Sequence, residues 1–228
     1  MPIKPFISVV IPLHNGERYL ANALKSVFDQ GQPPDEVWVV DDGSCDGGPT
    51  LASRYGPPVH CISQPHRGAS TARNVGALAS KGELLAFLDA DDVWLPDKLS
   101  LQVEFLNNQL DIDAVTGYWR NFLSPDLDRA SRNRLSFKDG PQSVPIASTL
   151  LIRRDRFLSS GGFDESLSSG EFIDWVLRAK EGGIHIESLP TLLAERRVHA
   201  HNHSLAREGR ARAYLQLAKK RLSISRGE

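Results

Sequence analysis

"LLAFLDADDVW", residues 84–94, is an apolar run that ends in three aspartates. Leu84, Leu85, Phe87 and Leu88 read as a short buried strand, with Asp89, Asp91 and Asp92 at its carboxyl end. Three adjacent carboxylates repel one another, and burying an unpaired one is costly. Compensating positive charge is therefore expected at this strand end. In open α/β sheets ligands bind beyond the carboxyl ends of the strands, so the stretch bears on fold and chemistry together.

Working outward, strand and helix signals alternate before it. "ISVVIPL" (7–13) is a β-branched run that stops at His14-Asn15-Gly16. Leu20, Ala23, Leu24, Val27 and Phe28 then follow at helical spacing, with Asn15 as the expected cap and Glu17 in the first turn. "EVWVV" (36–40) runs into Asp41-Asp42-Gly43-Ser44, a helix is expected around 48–55, and a strand near 59–63. "GASTARNVGALASKG" (68–82) reads as a helix of small residues able to lie close to a sheet. This alternation predicts a parallel sheet with right-handed crossovers, hence an α/β fold.

Downstream, a helix is expected over 97–109 and a strand near 113–118. The polar, basic stretch 120–142 has little periodicity and reads as a loop, lid or insertion. "GEFIDWVLRAKEGG" (170–183) reads as a helix with Ile173, Val176 and Leu177 on its apolar side. "IHIESLP" is the expected last strand, "AERRVHAHNHS" (194–204) a polar connection, and 205–222 a basic amphipathic helix suited to its own domain or to peripheral contact with an anionic membrane.

Composition narrows the class. A formal net charge of −1 gives no bulk reason to expect a nucleic-acid partner. Cys45 and Cys61 are too few for a disulfide framework and lack metal-ligand spacing. No stretch approaches the roughly 18 to 20 apolar residues of a membrane span. A soluble, cytoplasmic protein is expected.

The strand ends carry Pro12 to Asn15, Asp41 to Ser44 and Asp89 to Asp92. There is no G-x-G-x-x-G after the first strand and no G-x-x-x-x-G-K-[ST], which argues against dinucleotide and P-loop binding. Carboxylates there suit a hard divalent cation bridging a diphosphate.

The ordered fragments VVIPLHN (9–15), VVDDGSCDG (39–47), GASTARNVG (68–76), FLDADD (87–92) and GGFDE (161–165) resemble the family 2 glycosyltransferases of GT-A fold. The resemblance implies one domain with a single mixed sheet: a nucleotide-sugar half over 1–99, an acceptor half over 100–204, and a C-terminal basic helix over 205–228. It implies an inverting, metal-dependent transfer from a nucleotide-diphosphate sugar, UDP-linked, to a hydroxyl of a glycan, lipid-linked glycan or peptide. Pro12, His14, Asn15, Glu17, Asp42, Arg73, Asp89, Ala90 and Asp91 would bind the donor, with Asp42 on the base and His14 where tyrosine is commoner. Asp91 would hold Mn²⁺ or Mg²⁺, while Asp35, Asp46 and Asp92 would be solvated turn residues. Asp42, at a strand end, is expected to be replaceable without harm to the fold.

Inverting members place an acidic pair at the start of a late helix. The matching stretch is Ser169-Gly170-Glu171-Phe172-Ile173-Asp174-Trp175, with phenylalanine where the aspartate is expected. Glu171 is the first candidate for the base and Asp174 the second, since residues three apart share a helix face. Arg196, Arg197 and His199 would join the metal and diphosphate from the C-terminal side, and His199 with Asn202 fits an Arg-x-His-x-x-Asn pattern. His199, His201 and His203 lack a partner cysteine or acid for zinc. Phe172 leaves a non-catalytic sugar-nucleotide-binding protein as one alternative; a nucleotidyltransferase is the other.

Overall fold

The computed structural model describes residues 4–127 and 139–199. The strands are β1 (Ile7–Leu13), β2 (Glu36–Asp42), β3 (Val59–Gln64), β4 (Leu84–Phe87), β5 (Val93–Trp94), β6 (Ala114–Leu123), β7 (Leu151–Arg153) and β8 (Ile186–Val198). The helices are α1 (Glu17–Phe28), α2 (Gly48–Tyr55), α3 (Ala69–Ala79), α4 (Lys98–Asn108), α5 (Arg154–Ser159) and α6 (Glu171–Glu181), with a 3-10 turn at Ala147–Thr149. All eight strands form one sheet in the order β3-β2-β1-β4-β7-β6-β8-β5.

β1 runs parallel to β2 and β4, and β2 parallel to β3. The ends of β1, β2 and β4 therefore face the same edge of the sheet. β7 is antiparallel to both β4 and β6, β6 is parallel to β8, and β5 is antiparallel to β8. The mixed sheet expected from the resemblance is present, with the antiparallel β7 joining its two halves.

Strand alternation sorts the core onto two faces. Ile7, Val9, Ile11 and Leu13 of β1 pack with Leu20, Leu24 and Val27 of α1 and Leu99, Val103 and Leu106 of α4. Val10, Leu85 and Phe87 face the other way, against Ala72 and Ala77 of α3 and an aromatic group of Phe157, Phe163, Phe172 and Trp175. α3 lies close to the sheet as its small residues predict. A Cβ at Gly76 would overlap the Val10 side chain.

Three local expectations are corrected. Asn15 does not cap α1: it takes a left-handed φ of 51°, and Gly16 stands at the helix boundary. The Glu17 N–H is instead capped across the loop by Asp46 Oδ2 at 2.9 Å. α6 buries Phe172, Trp175 and Ala179, because the aromatic group beneath it selects that face; Leu177 is exposed. The segment 194–198 is not a connection but the end of β8, paired with β5 and β6, and its polar letters hide a strand. The expected helix over 205–222 lies outside the described residues, as do His201 and His203. Among the described residues, no helix is long and apolar enough to cross a membrane.

Candidate active site

β4 delivers Asp89, Asp91 and Asp92 to the sheet edge, and ligand atoms of the three lie within 4.8 Å of one another. Side-chain nitrogens reach them from two separate elements. Arg73, on α3, is buried and donates through Nη2 to Asp89 and through Nη1 to Glu171 at 3.0 Å. His199, just past β8, sets Nε2 2.9 Å from Asp91 Oδ2.

Asp92 corrects the expectation of a solvated turn. It is 2% exposed, accepts the Ser148 hydroxyl at 2.8 Å and accepts the Arg197 N–H at 3.1 Å. Burial, then repulsion from Asp91 and Asp89, pushes its carboxyl well above the ordinary carboxylate value. Ser148 Oγ also accepts the Asp89 N–H at 3.3 Å, and its carbonyl accepts the Trp94 indole N–H at 2.7 Å. Below it, Gln102 donates to Val115 and Thr149 carbonyls, and the buried Lys98 Nζ donates to Gln102 Oε1 at 2.8 Å. The aspartate loop thus rests on a floor of buried polar groups.

Burial alone would lower the pKa of Arg73, and Asp89 with Glu171 more than reverses this. Its guanidinium carbon lies 5.6 Å from the Phe163 ring centroid. Its Nε–H is buried and has no acceptor among the described residues. Asn74, the next residue, donates to Phe163 O at 2.8 Å and accepts the Phe163 N–H at 2.9 Å. This pairing locks GASTARNVG to GGFDE and explains why the two fragments occur together.

The two base candidates separate. Glu171 opens α6 and faces Arg73, half-buried at the site. Asp174 is buried and binds Arg178 Nε at 2.7 Å, while the other Arg178 nitrogens donate to the Ser160 and Gly162 carbonyls. That is a tie within the fold. Phe172 points away from the site, with its ring centroid 5.8 Å from that of Trp175.

At the β2 end, Asp42 is enclosed. Oδ1 accepts from Gln64 Nε2 at 2.7 Å and Arg67 N–H at 2.8 Å; Oδ2 accepts from Gly68 N–H at 2.8 Å and lies 2.8 Å from His66 Nδ1. Burial works against its ionisation, yet the Arg67, Gln64 and Gly68 donors together hold the carboxyl below its ordinary value. Its replacement therefore disturbs the 64–68 loop, contrary to the expectation from its strand-end position. His14 and His66 stack above it with centroids 4.2 Å apart. Asn15 Oδ1 accepts the Cys45 N–H and Glu17 Oε2 accepts the Gly47 N–H, so both residues knit the loops after β1 and β2. Asp46 caps across this seam, and Asp35 accepts the Ile7 N–H at 2.8 Å. Half-buried Pro12 lies at the end of β1 and buried Ala90 in the aspartate loop.

Tyr19, Ser148, Gln102 and Lys98 escaped the sequence reading, since no motif contains them. The one signal was a lysine and a glutamine at helical spacing on the apolar side of α4.

Residues 8–165 match the family model described as glycosyl transferase family 2. The chain belongs to that family. An uncharacterised glycosyltransferase of Rickettsia typhi is 33% identical over 72% of this chain and 55% of its own length. The putative teichuronic acid biosynthesis glycosyltransferase TuaG of Bacillus subtilis is 36% identical over 50% of this chain and 47% of its own. The chain thus spans about half the length of these relatives. Among solved structures, S. aureus TarS in complex with UDP-GlcNAc matches with a TM-score of 0.71 at 20% identity, over 88% of this chain and 61% of that one. The mannosyltransferase PcManGT of Pyrobaculum calidifontis, in complex with GDP-Man and Mn²⁺, matches with a TM-score of 0.70 at 22% identity, over 97% and 65%. These likenesses establish the GT-A fold.

Proposed function

We propose that the protein transfers a sugar from a nucleoside-diphosphate donor to an acceptor hydroxyl, with inversion at the anomeric carbon. The observation that carries this is the acidic cluster at the end of β4, approached by Arg73 and His199 from opposite sides. Carboxylate oxygens suit a hard ion such as Mn²⁺ or Mg²⁺, and an added imidazole favours Mn²⁺ of the two. Asp91 and His199 would hold the ion, which when bound would shield the charge on the diphosphate leaving group.

The residues of the chain do the rest. Buried Arg73 supplies positive charge beside Asp89 at the donor side of the site. Arg73 also fixes Glu171 relative to Asp89, so the base and the sugar end of the donor stay in register. Glu171 takes the proton of the acceptor hydroxyl as its oxygen attacks the anomeric carbon and the bond to the diphosphate breaks. Asp42 acts on the base pocket through the loop 64–68 that it organises, below the exposed His14–His66 stack. In this reading 1–99 forms the donor half and 100–204 the acceptor half, with a UDP-linked donor.

The decisive experiment screens sugar nucleotides for Mn²⁺- or Mg²⁺-dependent thermal stabilisation, since ligands that bind the folded state raise its stability. UDP-GlcNAc and GDP-Man are the first two arms, because solved relatives carry them. Absence of stabilisation by any sugar nucleotide with either ion would sink the proposal. Stabilisation without hydrolysis or transfer would favour a binding protein, the reading that Phe172 keeps open.

A further inference from the structure

Tyr19 stands on the first turn of α1, in none of the fragments that carry the family resemblance. Its ring is packed against the end of β8. The His199 ring centroid lies 4.8 Å away at an interplanar angle of 37°. The Arg197 guanidinium carbon sits 4.9 Å from the Tyr19 centroid and 4.5 Å from that of Phe122, so it is held between the two rings. Arg197 Nε in turn donates to the Asp91 carbonyl at 2.9 Å.

The other end of Tyr19 is also fixed. Its hydroxyl donates to Asp126 Oδ2 at 3.3 Å, and the same oxygen pairs with Arg18 Nη1 at 2.8 Å. Asp126 accepts the Ser124 hydroxyl, and the Ser124 N–H donates to Val198 O at 2.9 Å. One side chain therefore touches the imidazole at Asp91, the arginine on the Asp91 carbonyl, and the turn leaving β6. The imidazole sits past the last residue of its strand, where its two side-chain torsions need an external constraint.

We infer that Tyr19 is a positioning residue: its ring fixes the His199 imidazole against Asp91, and its hydroxyl ties that geometry to the 124–127 turn. The inference deepens the metal reading of the site and rests on it for its consequence. Groups that orient a ligating imidazole typically change metal affinity ten- to a hundredfold when removed. Tyr19→Ala is therefore expected to weaken Mn²⁺ binding in the presence of UDP by about tenfold. Tyr19→Phe keeps the ring and is expected to stay within about threefold, because the lost bond to Asp126 is long, solvent-exposed and remote from the ligating atoms. Asp126→Ala keeps the ring but releases the Tyr19 hydroxyl together with the Arg18 pair and the Ser124 bond, so its effect is expected to be at least that of Tyr19→Phe.

The experiment pairs a calorimetric Mn²⁺ titration with proton NMR of the metal-free protein, His199 being assigned by comparison with His199→Gln. A ring stacked on Tyr19 shifts the His199 imidazole protons upfield, in wild type and Tyr19→Phe alike, and Tyr19→Ala removes the shift. If Tyr19→Ala does not fold, Tyr19→Leu takes its place. An unchanged His199 spectrum in the ring-deleted variant overturns the inference, whatever the metal does. So does a lost shift with wild-type Mn²⁺ affinity, because the ring would then not serve the metal. A wild type that shows the ring shift but takes up no Mn²⁺ overturns the metal reading of the site and leaves the positioning contact standing. Equal Mn²⁺ losses in Tyr19→Phe and Tyr19→Ala would assign the effect to the hydroxyl and overturn the role of the ring.

Discussion

The ends of β2 and β4 each carry aspartates at the same edge of the sheet, yet their charges are met in opposite ways. Asp42 is satisfied by one contiguous stretch, through backbone and amide donors of residues 64–68. Asp89 and Asp91 are met by side chains from two separate elements, Arg73 from α3 and His199 from beyond β8. Asp42 thus completes a loop before any ligand arrives. The β4 cluster is assembled from separate parts of the chain and places carboxylates close enough to share a cation. The first arrangement builds structure, and the second is suited to chemistry.

The largest effect expected from this contrast is at Asp91. Asp91→Asn should remove Mn²⁺-dependent UDP binding and lower turnover by about a thousandfold or more, since a metal-bound leaving group contributes several kcal/mol. Isothermal titration and a sugar-nucleotide hydrolysis assay test it together. Full turnover in excess EDTA would break the contrast at its centre.

Next in size is Glu171→Gln, expected to lower kcat by about 10² to 10⁴ while UDP affinity holds. Asp174→Asn should leave kcat near wild type and lower the melting temperature, because its carboxylate serves Arg178 inside the fold. A native melting temperature combined with a large rate loss in Asp174→Asn would reverse the order of the two candidates.

The same contrast explains how far the sequence could be read. The parallel half was legible because β1, β2 and β4 are continuous apolar runs and each ends in a recognisable break. The Asp89–Asp91 pair and Arg73 lie in fragments with a family resemblance, and Glu171 follows from the helix start. β8 was cut short in the reading because Glu195, Arg196 and Arg197 look solvated. In the fold Arg197 is 4% exposed and sandwiched between two rings. The floor beneath the aspartates was invisible for a related reason. Asp92 is joined to Ser148 across 56 positions in sequence and Gln102 to the Thr149 carbonyl across 47, by polar contacts that no periodicity encodes. Phe172 was read as a departure from an acidic pair, whereas its burial shows which way α6 turns that position.

A smaller effect, on stability, tests the enclosed end. Asp42→Ala strands the Arg67 and Gly68 N–H groups and the Gln64 amide, and should cost about 3 kcal/mol in urea unfolding. The pH dependence has a definite sign. The folded carboxyl lies below its ordinary value of 3.8, so its contribution is complete above that value and is lost as pH falls through the folded one. Wild-type stability in Asp42→Ala, with weakened UDP binding, would restore Asp42 to direct ligand contact.

The smallest effect belongs to Lys98, buried on α4 and bonded to Gln102 Oε1 and, at 3.4 Å, to the Leu150 carbonyl. Burial pushes its amine well below the ordinary lysine value of 10.5. Between the folded pKa and 10.5 the unfolded chain binds a proton that the folded chain does not. Stability therefore rises with pH across that window and levels off above it, by at most about 1.4 kcal/mol per pH unit. Lys98→Met removes the titrating group, so the wild-type minus variant difference should climb as pH rises toward 10.5, by at most about 1.4 kcal/mol per unit. Taking the difference cancels the opposite contribution of Cys61, whose thiol burial raises. The Trp94 ring, 4.1 Å from Nζ, supplies the competing outcome, because an aromatic face favours the charged amine. A flat difference across that range would mean that Lys98 stays protonated, with Trp94, Gln102 and Leu150 carrying its charge. α4 would then carry a buried cation of its own, held by Gln102, the Leu150 carbonyl and the Trp94 ring.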